Sequence, residues 1–408
     1  MITPFFFRIF FVAISDVLKR LRSAAGGLSR WTAVSCGCCV LFANVAHVEA
    51  ADACKRLHEY DEISAVVTAR FYDRTFRGLA WPSRVEHYRA EVDCGKDERH
   101  LAGVVNRLLA ELRASHTGLY TKDDLEYWAF QSVFSMGMEK YPVDFSGIWP
   151  ERRDDAWYAK YVVPGTPAAA AGVNAGDLLV ALDGQPFRTF GFSAQHPSQV
   201  TISSDGRAQR DIKIQAVSAS MQRFLLDATR SSTAIMDIEG RKVGYFHLWS
   251  GTHVMFLDSL NAALAGFEQA RVTALIVDLR GGFGGSGLEY LAHIRSSAHL
   301  QSVPKYFLTD DGTRSGKEWV AATIKSQRIG TLVGSRTAGA FLGGSPFRFA
   351  DERYLLLLAV SAFTPPGIGR IEGIGVEPDV TVAPCRTFCG GRDPQLEKVF
   401  ELIRSRPG

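Results

Sequence analysis

Residues 273–280 read TALIVDLR, and they constrain this chain more than any other eight residues do. An apolar run this short, closed by charges and then by glycines, is a buried strand rather than a helix. Its neighbours carry a different period. Lys242 to Leu248 is a strand pattern, and Phe256 to Ala270 places apolar residues on one helical face. Leu288 to Ile294 is again helical, and Tyr306 to Leu308 is a strand. Further strand patterns occur at Thr331 to Val333, Tyr354 to Val360 and Val376 to Val382. Strands alternating with helices over residues 218–385 give an α/β core.

The flanking regions differ. Residues 51–143 are read as a helical N-terminal segment, from the three- and four-residue apolar spacing in Val66–Phe71, Leu101–Leu112 and Glu126–Phe134. Residues 144–217 change character. YVVPGTPAAAAGVNAGDLLVALDGQPF is a strand, a Pro-Gly turn, one short alanine helix, a strand and an Asp-Gly turn. That order resembles a PDZ domain of the bacterial protease type, which implies a groove taking an extended peptide by strand addition. A β-rich spacer with no ligand is the plainer alternative. Residues 386–408 form a C-terminal tail or helix.

Residues 1–50 read as a signal peptide. Lys19, Arg20, Arg22 and Arg30 precede an apolar stretch from Trp31 to Ala46, and Val48-Glu49-Ala50 offers small residues at the cleavage positions. We expect cleavage after Ala50 and a secreted or periplasmic location, with membrane contact only through this segment if it stays uncleaved. It holds five basic and two acidic residues, which leaves the rest balanced at 41 of each. A balanced chain gives no reason to expect nucleic acid as a partner. Cys36, Cys38 and Cys39 leave with the segment. Cys54, Cys94, Cys385 and Cys389 remain, an even set that suggests disulfides in an exported protein. We expect the pairs Cys54–Cys94 and Cys385–Cys389, although spacing alone leaves the connectivity open.

Several residues could carry chemistry. Ser315 follows an Asp310-Asp311-Gly312 turn and precedes a helical pattern through Trp319, Val320 and Ile324, which Gly330 is expected to stop. A hydroxyl at a helix N-terminus lies beside free N–H groups and the positive end of the dipole, where an attacking serine finds an oxyanion hole. Ser315-x-x-Glu318 is equally a capping box, and taken alone that is the stronger reading. Ser286 pairs with Glu289 in the same way and is read as a cap. Gly282 to Gly287 fits G-x-G-x-x-G, with Asp310 at the distance of a ribose-binding acid, so a dinucleotide oxidoreductase is an alternative. Asp278 and Arg280 stand where that fingerprint wants a tight turn. The same glycines can bring bare backbone N–H groups to a substrate oxygen. No H-E-x-x-H occurs, and the histidines give no metal-binding pattern, so neither a metal nor a cofactor is expected. His116 follows a helical pattern, beside Ser115, and could be a base or only a helix end.

Taken together, these pieces resemble the C-terminal processing and tricorn peptidase family. The motifs are Ser115 to Thr117, the PDZ-like region, Asp278 to Gly285, Ser315 to Glu318, Gly334 to Gly339, and Glu372 to Asp379, in that order. The processing branch places a lysine after Thr-x-Gly. Here that position is Ala340, and Lys317 is no substitute because i and i+2 on a helix do not face each other. The resemblance therefore points to the tricorn-like branch. It implies Ser315 as nucleophile, His116 as general base, and Ser115 and Glu372 orienting the imidazole. Gly316 N–H and one of Gly284 and Gly285 would form the oxyanion hole. The implied fold is α/β: a crotonase/ClpP-like core of ββα units with a helical N-terminal segment and an inserted β-rich PDZ domain. The implied function is an exported serine endopeptidase acting on protein or peptide substrates through an acyl-enzyme. A catalytically silent peptide-binding protein is the chief alternative.

Overall fold

The computed structural model describes residues 54–296 and 298–406. The signal-peptide reading and Cys36, Cys38 and Cys39 lie outside those residues.

Three helices come first: α1 (Lys55–Arg70), α2 (Trp81–Arg89) and α3 (Glu98–Glu111). Strand β1 (Gly118–Thr121), helix α4 (Leu125–Val133) and strand β2 (Pro142–Phe145) lead to the PDZ-like region. That region holds β3 (Ile148–Arg153), β4 (Ala156–Val162), α5 (Pro167–Ala170), β5 (Leu178–Leu182), β6 (Gln185–Pro186), β7 (Ser198–Ser203) and β8 (Arg210–Ile214). Its strands pair antiparallel in the order β3-β4-β5-β7-β8 around their own core of Ile148, Leu179, Val200 and Ile202. The exit strand β9 (Val217–Ser220) pairs with the entry strand β2, Pro142 opposite Ser220. The insertion is thereby closed at its base.

The α/β core continues through α6 (Met221–Ser232), β10 (Ala234–Ile238), β11 (Arg241–His247), α7 (Val254–Gln269), β12 (Ala274–Asp278), α8 (Gly287–Ile294), α9 (Ala298–Ser302), β13 (Lys305–Thr309), α10 (Gly316–Gln327) and β14 (Thr331–Gly334). It closes with β15 (Leu342–Phe349), β16 (Tyr354–Ala362), β17 (Val380–Thr381) and α11 (Pro394–Arg404). The main sheet runs β10-β11-β12-β13-β14-β17, parallel except for the β10–β11 hairpin. All five residues of β12 are buried. Leu275 and Val277 face α7, α8 and α10, while Ala274 and Ile276 face Val399 and Ile403 of α11. Burying each of the Leu, Val and Ile side chains contributes about 2 kcal/mol. The last helix is thus the cover of the sheet's second face.

A second sheet, β1-β16-β15, joins the N-terminal helices to this core. Strand β16 is apolar on both faces: Tyr354, Leu356 and Leu358 meet α1 and α3, and Leu355 and Leu357 enter the main core. Both expected disulfides are present, Cys54–Cys94 and Cys385–Cys389.

Two local expectations need correction, and one strand was not expected. Helix α10 ends at Gln327 with Arg328 as its left-handed cap (φ 52°), ahead of Gly330. The strand read over Val376–Val382 shrinks to Val380–Thr381. Pro378 has no N–H for a ladder, and the N–H of Val376 is spent on the Thr337 hydroxyl. Strand β15, LGGSPFRF, was hidden by its glycines and Pro346. An edge position tolerates both.

Candidate active site

The loop after β13 turns sharply and delivers Ser315 as the N-cap of α10. Its backbone has φ 56° and ψ −129°, a region few side-chain-bearing residues enter. Holding it there costs on the order of 1–3 kcal/mol and requires surrounding contacts to enforce it. The Ser315 N–H donates to Ala340 O at 3.0 Å and to Glu318 Oε2 at 3.1 Å. Half of the expected capping box is therefore a carboxylate on the nucleophile candidate's own N–H.

The glycine loop after β12 lies against this turn. A Cβ on Gly284 would come within 2.6 Å of both Ser315 Cβ and Gly316 N, so only glycine permits the approach. Gly285 has φ 95°. Gly251 ties the loop down, donating to Gly284 O at 2.7 Å and accepting from Ser286 N–H at 3.0 Å. The N–H groups of Gly284, Gly285 and Gly316 donate to no other described residue. Ser286 is the N-cap of α8, as expected, although its side chain makes no cap bond.

The other half of the site comes from distant segments. The Glu372 carboxylate accepts from Ser115 N–H at 2.9 Å, Ser115 Oγ at 2.8 Å and Phe341 N–H at 2.7 Å. Ser115 Oγ lies 3.0 Å from His116 Nδ1 and also accepts from Leu342 N–H at 3.3 Å. Glu372, Ser115 and His116 therefore form one continuous chain. His116 sits in a left-handed conformation (φ 52°) beside Gly344, where an added Cβ would meet its ring. Burial lowers its pKa to about 3, and the charge of Arg314 adds to the effect. The imidazole is thus neutral and able to take a proton. No hydrogen bond joins His116 to Ser315 among the described residues. Their connection runs through three consecutive residues: Ala340 holds Ser315, Phe341 holds Glu372, and Leu342 holds Ser115.

Two buried titratable residues, Lys317 and Glu318, follow Ser315 in the first turn of its helix. Lys317 is fully buried, and its Nζ donates to Leu248 O at 3.2 Å and to Gly281 O. Burial lowers its pKa to about 7, Asp310 and Asp278 pull it back up, and Arg314 lowers it further. It points away from Ala340, toward the glycine loop. Glu318 accepts from Thr337 Oγ1 and Gly339 N–H at 2.7 Å and from Ala340 N–H at 2.8 Å. Sequence reasoning took Glu318 for a cap partner and missed the buried role of Lys317. A cation in a helix's first turn opposes the dipole, and that was the available signal.

The charged residues between β12 and the glycines have a structural use. Arg280 bridges Asp278 and Asp393 of the α11 cap, and Tyr245 donates to Asp278 at 2.8 Å. Burial alone would raise the Asp278 pKa, but the Arg280 charge holds it well below the ordinary carboxylate range. Asp310, the acid a dinucleotide would need, is buried and occupied. It accepts from Tyr161 of β4 at 2.6 Å, from Gly312 N–H at 2.9 Å and from Arg386 at 3.3 Å. That contact also joins the PDZ-like region to the turn before Ser315.

Comparison with known proteins agrees with this architecture. Residues 289–382 match the model of peptidase family S41, and residues 158–214 match a PDZ domain. Tricorn protease homolog 1 of Streptomyces coelicolor is 25% identical over 390 residues, covering 84% of this chain and 34% of its own length. The chloroplastic C-terminal processing peptidase of Tetradesmus obliquus is 22% identical, covering 78% of this chain and 75% of its own. The chain spans about a third of the length of the tricorn homologues it matches. Among solved structures, the tricorn protease superposes with a TM-score of 0.51 at 18% identity, covering 85% of this chain and 36% of that one. The fold is therefore the one those peptidases share. The chain is a relative of the serine-type peptidases of family S41 and carries a PDZ domain. The relatives it matches include tricorn proteases and C-terminal processing peptidases.

Proposed function

We propose that this chain is an exported serine endopeptidase of the tricorn-like branch, cleaving protein or peptide substrates. Ser315 attacks the scissile carbonyl while His116 takes its proton. The acyl-enzyme forms as the amine leaves with that proton, and water then repeats the sequence. Gly316 N–H and the N–H of Gly284 or Gly285 receive the developing oxyanion. Ser115 relays the Glu372 charge to His116 Nδ1, which fixes the tautomer and leaves Nε2 as the base.

The observation that carries this reading is the Glu372–Ser115–His116 chain anchored at Phe341 and Leu342, beside the residue that holds Ser315. Ala340 leaves no lysine to replace it. The two disulfides suit an oxidising compartment and support export. The PDZ-like groove is proposed to recruit an extended peptide. A catalytically silent PDZ protein that only binds peptides is the competing reading. Unfolded casein incubated with the chain separates the two: wild type is expected to degrade it, and Ser315→Ala is expected not to. Equal products from both would remove the Ser315 assignment. No products from either would favour the silent protein.

A further inference from the structure

The buried carboxylate of Glu318 does more than a helix cap requires. A capping-box acid satisfies one N–H group, that of the N-cap residue. Glu318 satisfies four donors, and three belong to the segment Thr337–Ala340. Each oxygen takes two. Oε1 receives Thr337 Oγ1 and Gly339 N–H, and Oε2 receives Ser315 N–H and Ala340 N–H. The side chain has no solvent exposure, and no cation pairs with it among the described residues. Burial raises the Glu318 pKa, and the four donors act against that rise by stabilising the carboxylate they bind.

The segment it grips is the one that joins the two halves of the site. Ala340 gives its N–H to Glu318 and its carbonyl to Ser315 N–H, and the next two N–H groups hold Glu372 and Ser115. The loop bearing Glu372 is tied to the same segment on both flanks. Gly373 N–H donates to Gly339 O at 2.8 Å, and Val376 N–H donates to Thr337 Oγ1 at 2.8 Å.

We propose that Glu318 is a positioning residue: by holding Ser315 and Thr337–Ala340 on one carboxylate, it sets the register between the nucleophile and the Glu372–Ser115–His116 arm. It touches no substrate. It also holds Ser315 in its unfavourable φ by fixing both acceptors of that residue's N–H. The proposal rests on the serine-peptidase reading above.

Glu318→Gln in the full chain is the test. The amide nitrogen accepts nothing, so one pair of donors loses its acceptor whichever way the side chain turns, while shape is kept. We expect kcat for peptide cleavage to fall about 100-fold with KM nearly unchanged, the scale of an ångström-sized misplacement of reacting groups. Thr337→Val removes one Glu318 donor and also the acceptor of Val376 N–H, and is expected to lose about thirtyfold, two hydrogen bonds' worth. The specific readout is coupling. If Glu318 acts by aligning the base, His116→Ala costs far less in the Glu318→Gln background than in wild type. A folded Glu318→Gln with wild-type kcat, or losses that multiply independently, overturns the proposal. If Glu318→Gln does not fold, Thr337→Val decides by the same coupling. Failure of the parent reading looks different, because wild type itself would then take no fluorophosphonate label.

Discussion

The two halves of the candidate site are built by opposite means. The nucleophile half is local. Residues 278–318 supply the glycine loop, the turn, Ser315 and the buried Lys317 and Glu318 that follow it, all beyond the ends of the adjacent parallel strands β12 and β13. The base half is assembled from afar. Ser115 and His116 leave the N-terminal helices, and Glu372 arrives 257 positions later on a loop. The first half is held by sheet packing and the second by hydrogen bonds to Phe341 and Leu342. The local half is therefore expected to survive single substitutions that disconnect the distant half.

The largest effect tests the local half. Ser315→Ala is expected to lower kcat by about 10⁶-fold, as when an acyl-transfer nucleophile is removed. Fold is expected to be kept, because the strained turn is enforced by Glu318 and Ala340. Casein turnover and near-ultraviolet circular dichroism read the two separately.

The distant half is graded. Glu372→Gln keeps the shape but gives up the charge and presents an amide to donors. We expect kcat to fall about 10⁴-fold, the cost of a mis-set imidazole tautomer in a serine triad. Ser115→Ala breaks the relay but leaves Glu372 bonded to Phe341, and a smaller loss of about 100-fold is expected. Steady-state kinetics on a fluorogenic peptide checks both. An equal loss for the two would mean that the hydroxyl carries the whole influence of Glu372.

Titration sharpens the contrast. With the His116 pKa lowered to about 3 by burial and by Arg314, the acid limb of kcat/KM is expected below the ordinary histidine range. A limb near pH 6.5 would contradict that burial. The unfolded chain binds the proton on His116 between pH 3 and 6.5 while the folded chain does not, so stability falls as pH drops through that window.

The effect of Lys317 is on stability and not on rate. Its folded pKa of about 7 lies below the unfolded value of 10.5. The unfolded chain therefore binds more protons between those values, and wild-type stability rises with pH across them. Lys317→Met removes that slope. Relative to wild type it is expected to lose about 3 kcal/mol between pH 7 and pH 10, read by urea unfolding at each pH.

The same division decides what could be read from sequence. TALIVDLR announced a buried strand because burial on two faces leaves an unbroken apolar run. The turn, Ser315 and the glycine loop were legible because their chemistry is written within a few residues. His116 was an open candidate for a base, and Ser115 and Glu372 became candidates only through the family resemblance. Nothing local distinguishes His116 from a helix end or Glu372 from a solvated loop acid. Strand β15, whose first residue holds Ser115, was missed because an edge strand tolerates the glycines and proline that hid it. Glu318 was read as a cap because its other three donors lie nineteen to twenty-two positions away.

The central claim is that His116, held from a distance, activates Ser315. Fluorophosphonate labelling followed by peptide mass mapping tests it directly. One adduct is expected, on Ser315, forming about 10³-fold more slowly in His116→Ala, the order seen when a general base is lost. An adduct on another serine, or equal rates in wild type and His116→Ala, would contradict it.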